Sequence, residues 1–138
     1  MSEQHIVPVR VKEGLDALST EAHAMPVNLY QTDRYLVAQA GLPRCLPDRI
    51  HVFVSPGKMT IRAERHPGEP LDEQRTYILS ELPDGDIGRM LDLPQGDWAY
   101  DDAEAHFANG LLTVSIPTQA RTEYLRQMQT AAKGRKQE

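Results

Sequence analysis

The stretch 103–117 admits very few local structures. Ala103, Ala105 and Phe107 alternate with Glu104 and His106; after Asn109-Gly110, Leu112, Val114 and Ile116 alternate with Thr113 and Ser115 until Pro117. Apolar side chains at period two place one face of a strand on a core. Asn-Gly is the pair best able to supply the two positive φ angles of a type I′ turn. The segment is therefore read as a β-hairpin, and the chain must supply a second layer to cover its apolar face.

The same period recurs upstream. Val27 and Leu29 precede the polar turn Gln31-Thr32-Asp33, and Leu36, Ala38 and Ala40 share a face opposite Tyr35 and Val37 before Gly41-Leu42-Pro43. Ile50, Val52 and Val54 alternate with His51 and Phe53. After the turn Ser55-Pro56-Gly57-Lys58, Met59, Ile61 and Ala63 alternate with Thr60, Arg62 and Glu64. Residues 65–75 are polar, carry Pro67, Gly68 and Pro70, and read as a long loop. Tyr77-Ile78-Leu79 reads as a short strand, and Ile87, Arg89, Leu91 and Leu93 as one face of another that Pro94 closes. Short strands at this spacing, with ten prolines, nine glycines and only 6% aromatic residues, predict an all-β fold: a two-sheet antiparallel, immunoglobulin-like sandwich over residues 25–118. Outside it lie an arm, 1–24, and an extension, 119–138. In the arm Val11, Leu15, Leu18 and Ala22 fall at helical spacing, predicting a short amphipathic helix over about 10–22. The extension is read first as a mobile charged tail, with Tyr124, Leu125, Met128 and Ala132 marking a weak terminal helix as the alternative.

Composition narrows the function. A net charge of −5, with basic residues concentrated only in the last 20 positions, argues against nucleic acid as a partner. One cysteine, Cys45, points to a reducing, cytoplasmic setting, and neither a secretory leader nor a membrane-spanning apolar run is seen. No phosphate-cradling glycine motif is present, and His5, His23, His51, His66 and His106 lack metal-ligand spacing, so neither catalytic residues, metal ligands nor a cofactor are expected. His51 and His106 read as half-exposed residues of neighbouring strands. Cys45, beside Arg44 and between Pro43 and Pro47, reads as an inert loop residue, with a reactive thiol as the alternative. Eight carboxylates in 81–104 (Glu81, Asp84, Asp86, Asp92, Asp97, Asp101, Asp102, Glu104) fall on turns and alternate strand positions, as a solvated face would.

Several of these segments, in order, resemble those of the small heat-shock proteins. Met25-Pro26-Val27-Asn28-Leu29-Tyr30-Gln31-Thr32 is similar to the family's Pro-Val-x-Leu/Ile-Tyr-x-Thr opening, and residues 35–43 to its Tyr-x-Val-x-Ala-x-Leu-Pro segment. Residues 48–54 and 59–65 resemble its next hairpin. Asn109-Gly110-Leu111-Leu112-Thr113-Val114-Ser115-Ile116-Pro117 is close to its Asn-Gly-Val-Leu-Thr-Val-x-Ile/Leu-Pro signature. The resemblance, of bacterial and plant type, covers about 25–118. It implies an α-crystallin domain that binds non-native client proteins without ATP, forms a homodimer and performs no chemistry itself. It also implies that the loop after Arg65 carries Tyr77, Ile78 and Leu79 to the partner's sheet. The same sandwich occurs in CS-domain co-chaperones, monomeric adaptors that dock on a larger chaperone, and this is the alternative reading.

Three departures bear on assembly. Residues 118–138 lack the family's Ile-x-Ile/Val docking motif, Asp92 stands where an arginine is usual, and the N-terminal arm is short. A dimer is therefore the expected unit, with higher assembly open. Ile6-Val7-Pro8-Val9 is an apolar–Pro–apolar run of the kind that docks as an edge strand. Val7 and Val9 would then fill the groove between strands 50–54 and 103–108; an unstructured terminus ahead of a helix is the simpler reading. Candidate client surfaces are the arm residues Val11, Leu15 and Leu18 and the groove residues Val52, Val54 and Ala105.

Overall fold

The computed structural model describes residues 4–11, 25–65, 76–79, 81 and 85–136, with side chains through 131. The hairpin around Asn109-Gly110 forms as its chemistry dictates. β8 (Glu104–Ala108) pairs antiparallel with β9 (Leu111–Pro117) across a turn with φ of 54° at Asn109 and 76° at Gly110. β4 (Tyr35–Gly41) pairs with β9 along its whole length, Tyr35 opposite Pro117 and Gly41 opposite Leu111, and β3 (Val27–Gln31) pairs with β4. Thr32 shapes the turn between β3 and β4, its hydroxyl accepting from the Tyr35 backbone N–H at 3.0 Å.

The second sheet is built on β5 (Cys45–Ser55), β6 (Lys58–Arg65) and β7 (Gly85–Asp92), all antiparallel, with Gly57 at φ 84° in the β5–β6 turn. Its sheet order is β2-β5-β6-β7 and that of the first is β1-β8-β9-β4-β3, where β1 is His5–Val7 and β2 is Val9–Val11. Inward residues of both layers form one core: Leu36, Ala38, Leu112, Val114 and Ile116 from one sheet meet Val52, Val54, Met59 and Ile61 from the other, each at most 1% exposed. The period-two face read from the sequence is the buried face, because register and turn type fix which side points inward.

Four expectations change. First, Arg10 and Val11 lie on β2 rather than on a helix: Val7, Val9 and Val11 are β-branched at period two and find open sheet edges to pair with. Leu15, Leu18 and the rest of the predicted arm helix lie outside the described residues. Second, Tyr77-Ile78-Leu79 is no strand within the subunit and joins neither sheet. Third, the extension is not a mobile tail over 119–136 but helix α1 (Gln119–Lys136), rich in good helix formers and free of glycine until Gly134. Thr118 caps it, its hydroxyl accepting from the Arg121 N–H at 3.1 Å. Fourth, Cys45 opens β5 instead of sitting in a loop. Pro47 is tolerated there because the register shifts between Cys45 and Ile50, where no ladder bond is needed from it.

Candidate functional site

Among the described residues, apolar groups meet solvent or cover one another at two sides of the sandwich. The first such place is the side of the sandwich between β8 and β5, edge strands of the two sheets in the 25–118 domain. β1 adds antiparallel to β8, with Val7 opposite Ala105; the chain crosses from one sheet to the other at Pro8; β2 then adds parallel to β5, with Val9 opposite Val52 and Val11 opposite Val54. Residues 5–11 therefore form a strap over this side. Pro8 suits the crossover, since it donates no ladder bond and sits where the chain leaves one sheet for the other. Val7 is 1% exposed and belongs to the core, Val9 packs against it half-buried, and Ile6, pointing outward, is 78% exposed.

Beneath this strap the groove residues Val52, Val54 and Ala105 are 1%, 0% and 1% exposed. They face the interior rather than solvent, which corrects the expectation of an accessible client groove in this state. Val11, on the strap's last strand, is 45% exposed. Arg10 stacks over the Phe53 ring at 5.8 Å, adding a cation–π contact to the outer face. Outside the strap a hollow of 410 Å³ is bounded by Ile6, Pro8, Pro47 and Ile50, with His5 and His51 at its rim.

At the opposite side of the sandwich, β3 and β7 are the outer strands of their sheets. Leu29 and Tyr30 on β3 are 38% and 45% exposed, and they flank a hollow of 440 Å³ that also reaches Leu36, Leu93 and Pro94. Tyr77, Ile78 and Leu79 are 60%, 101% and 73% exposed. Three consecutive apolar side chains held in solvent are costly, and a run of this kind is unusual outside an interface.

Groups that could carry chemistry are dispersed. Cys45 is 8% exposed, and burial pushes its thiol above the ordinary 9.0, outweighing the lowering effect of Arg65 and Arg44. This is the behaviour of an inert cysteine. His51 and His106 are not on neighbouring strands of one sheet: β5 and β8 belong to opposite layers. His106 Nε2 lies 3.7 Å from Glu104 Oε2. The described carboxylates of this stretch lie at the surface, with Lys58–Asp92 at 3.2 Å and Arg126–Asp102 at 3.6 Å, both solvent-exposed and weak. Among the described residues no group of three or more His, Cys, Asp or Glu is placed to hold a metal. No helix among them is long and apolar enough to cross a membrane.

Known proteins share the sandwich fold. Residues 29–130 match the Hsp20/alpha crystallin family model. The 18 kDa antigen 1 of Mycobacterium avium is 31% identical over 99 residues, which cover 71% of this chain and 64% of that protein. The chain thus spans less than two thirds of the length of that curated relative. Among solved structures, heat shock protein 16.0 of Schizosaccharomyces pombe superposes with a TM-score of 0.60 at 26% identity, covering 69% of this chain and 86% of that one. A small heat-shock protein of Xylella fastidiosa gives 0.57 at 26% identity, covering 68% and 84%. Two facing sheets in this strand order, the Asn-Gly hairpin and these matches place the chain in the Hsp20/alpha crystallin family.

Proposed function

We propose that the protein is an ATP-independent chaperone that holds non-native proteins through apolar surface and catalyses no reaction. The observation that carries this reading is the exposure of Tyr77-Ile78-Leu79 beside a sandwich whose β3 edge is open and lined by Leu29 and Tyr30. In a homodimer, residues 77–79 of each copy add to the β3 edge of the other, satisfying backbone groups and covering the 440 Å³ hollow. Membership of a family that includes a Xylella fastidiosa protein with a distinct high-order structure supports association of copies.

Client contact falls to the strap side. When residues 5–11 lift, Val52, Val54 and Ala105 line an apolar groove flanked by two strand edges, and Val11, Leu15 and Leu18 are the apolar residues the arm offers to a client. Burying a few hundred Å² at about 25 cal/mol/Å² contributes several kcal/mol before ordering costs. Contacts of that strength are reversible, and several per assembly add avidity. No nucleotide, cofactor, nucleic acid or membrane enters this scheme, which suits a cytoplasmic protein.

The test is light scattering from a thermally unfolding enzyme, with and without the protein, in nucleotide-free buffer. Suppressed scattering at or below equimolar ratio is expected, whereas aggregation unchanged at a several-fold excess removes the holdase reading.

A further inference from the structure

The outer face of the sheet built on β5, β6 and β7 is dry where an open sheet face is normally wet. Phe53, Thr60 and Met90 form one row across it, Phe53 opposite Thr60 and Thr60 opposite Met90. They alternate with the core residues Val52, Val54, Met59, Ile61 and Leu91, so they point away from the sandwich. Phe53 is nevertheless 4% exposed and Thr60 1%, while Met90 is half-buried. Thr60 Oγ1 is enclosed with no hydrogen-bond partner among the described residues, as it would be beneath an apolar cover. Arg10 stacks on Phe53 from β2 at 5.8 Å and accounts for one end of the row. β1, β3, β4, β8 and β9 belong to the facing sheet, and α1 lies along the far side of that sheet, across a crevice from Tyr35 and Ser115. No described strand or helix is therefore stacked on Thr60.

Connectivity points to what is. Val11 ends β2, at one edge of this sheet and level with Val54. Met25 is held at the other edge, where its carbonyl accepts from Arg89 on β7, and Arg89 is level with Ile61 and Val52. Residues 12–24 therefore connect opposite edges of one sheet, three strand spacings or about 14 Å apart. The straight path between those two levels runs over Phe53, Thr60 and Met90. Thirteen residues span it even at the helical rise of about 1.5 Å each. A detour round the strand ends would leave the row in water.

We propose that the outer face at Phe53, Thr60 and Met90 is a docking site for residues 12–24 of the same chain, seated by Leu15 and Leu18. The chemistry of the segment fits: Leu15, Leu18 and Ala22 fall at spacings that share one helix face. Residues 66–75 carry Leu71 as their one large apolar residue and match the row less well. A second copy's segment is disfavoured, because both of its ends are fixed on its own subunit. One consequence rests on the holdase reading: Leu15 and Leu18 meet a client only by leaving this seat, and their departure uncovers Phe53 and Met90 too.

A photoactivatable benzophenone amino acid in place of Leu18, in the full chain, tests the seat. Irradiation should give an adduct of monomer mass whose peptides join residue 18 to 51–62 or 85–92. An adduct of dimer mass would give the face to a second copy. That result, a monomer adduct elsewhere, or strong labelling of the same strands by the probe placed at Leu71 overturns the proposal. Thr60→Val supplies a second reading without a probe. Under an apolar cover, loss of the unpaired hydroxyl should raise the urea midpoint, and Leu15→Asp/Leu18→Asp should remove that rise. A Thr60→Val midpoint at or below that of wild type also overturns the proposal. Neither measurement uses a client, so failure of the holdase reading in the scattering assay remains a separate result.

Discussion

Arg89 on β7 donates from Nη1 to the backbone carbonyl of Met25 at 2.9 Å, tying an outer strand of one sheet to the entrance of the outer strand of the other. Met25 is 1% exposed, so this carbonyl has little access to water. The sandwich is thus closed on one side by the strap of residues 5–11 and on the other by a charged clasp. Replacing Arg89 with Met keeps the aliphatic stem but strands a buried acceptor, at a cost of about 1–3 kcal/mol. Urea unfolding should show a lower midpoint for Arg89→Met with an unchanged slope, and partial recovery in Arg89→Lys.

Ile78, 101% exposed in the subunit, gains nothing from its side chain unless a second copy covers it. Ile78→Asp should therefore leave the circular dichroism and unfolding of the isolated subunit nearly unchanged while raising the dimer dissociation constant at least tenfold, about 1.4 kcal/mol. Mass measured across a dilution series at high salt reads this directly. An assembly that dilutes identically to wild type would remove residues 77–79 from the interface. A wild type that is monomeric throughout would instead favour an adaptor role.

What the sequence disclosed and what it hid follow one physical line. Strands 35–41, 58–65 and 104–117 were legible because alternation and turn chemistry are local, and Asn109-Gly110 adopts the positive φ pair its composition implies. The strap was visible as an apolar–Pro–apolar run, but its placement depends on two sheet edges about 40 and 100 positions away. Parallel pairing of β2 with β5 has no local signature. Val52, Val54 and Ala105 are legible as apolar strand residues, but their burial depends on whether residues 5–11 lie over them. Val11 reads as helical because 11, 15, 18 and 22 fit a 3.6 period, while 7, 9 and 11 fit a period of two equally well; the open edges of β8 and β5 favour the second. Arg89's clasp required the positions of two different sheets, which no window of sequence contains.

Cys45 supplies a pH-dependent stability term of defined sign. Its folded thiol is raised above 9.0 chiefly by burial, so the folded state holds its proton where the unfolded chain has lost it. Stability from this group is constant below the unfolded value, then falls as pH rises from there toward the folded one, because the unfolded state binds fewer protons. Cys45→Ala should flatten that alkaline decline in a series of urea titrations above pH 8. At neutral pH, modification by a thiol reagent should be slow in buffer and fast in denaturant. Rapid labelling of the native protein would contradict the buried placement.

Gly96 leaves room for the single tryptophan. A Cβ there would lie 2.6 Å from Trp98 Nε1 and 2.7 Å from its Cε2, and a rigid indole held by its bond to the Pro94 carbonyl at 3.1 Å cannot swing aside at no cost. Gly96→Ala should cost about 1–3 kcal/mol by overpacking and shift the Trp98 emission to the red as the ring leaves its 8% exposed site. Unchanged emission and stability would mean that the 95–97 backbone relaxes without moving the indole.

Val7 and Ile6 provide the sharpest contrast in the strap, because adjacent residues on one strand face opposite ways. Val7 is 1% exposed and joins the core, while Ile6 is 78% exposed. Removing two buried methyls in Val7→Ala should cost about 1–2.5 kcal/mol, and a carboxylate at that position cannot stay buried, so Val7→Asp should release residues 5–11 altogether. The sandwich keeps its remaining strand pairs, and release exposes Val52, Val54 and Ala105 with the edges of β5 and β8. Val7→Asp should therefore bind more of a dye specific for apolar surface and suppress client aggregation at a lower ratio than wild type, whereas Ile6→Asp should match wild type in both assays. Equal dye binding by the two variants would show that the strap does not control the groove. Lower client protection in Val7→Asp would mean that the strap itself, rather than the surface beneath it, makes the client contact.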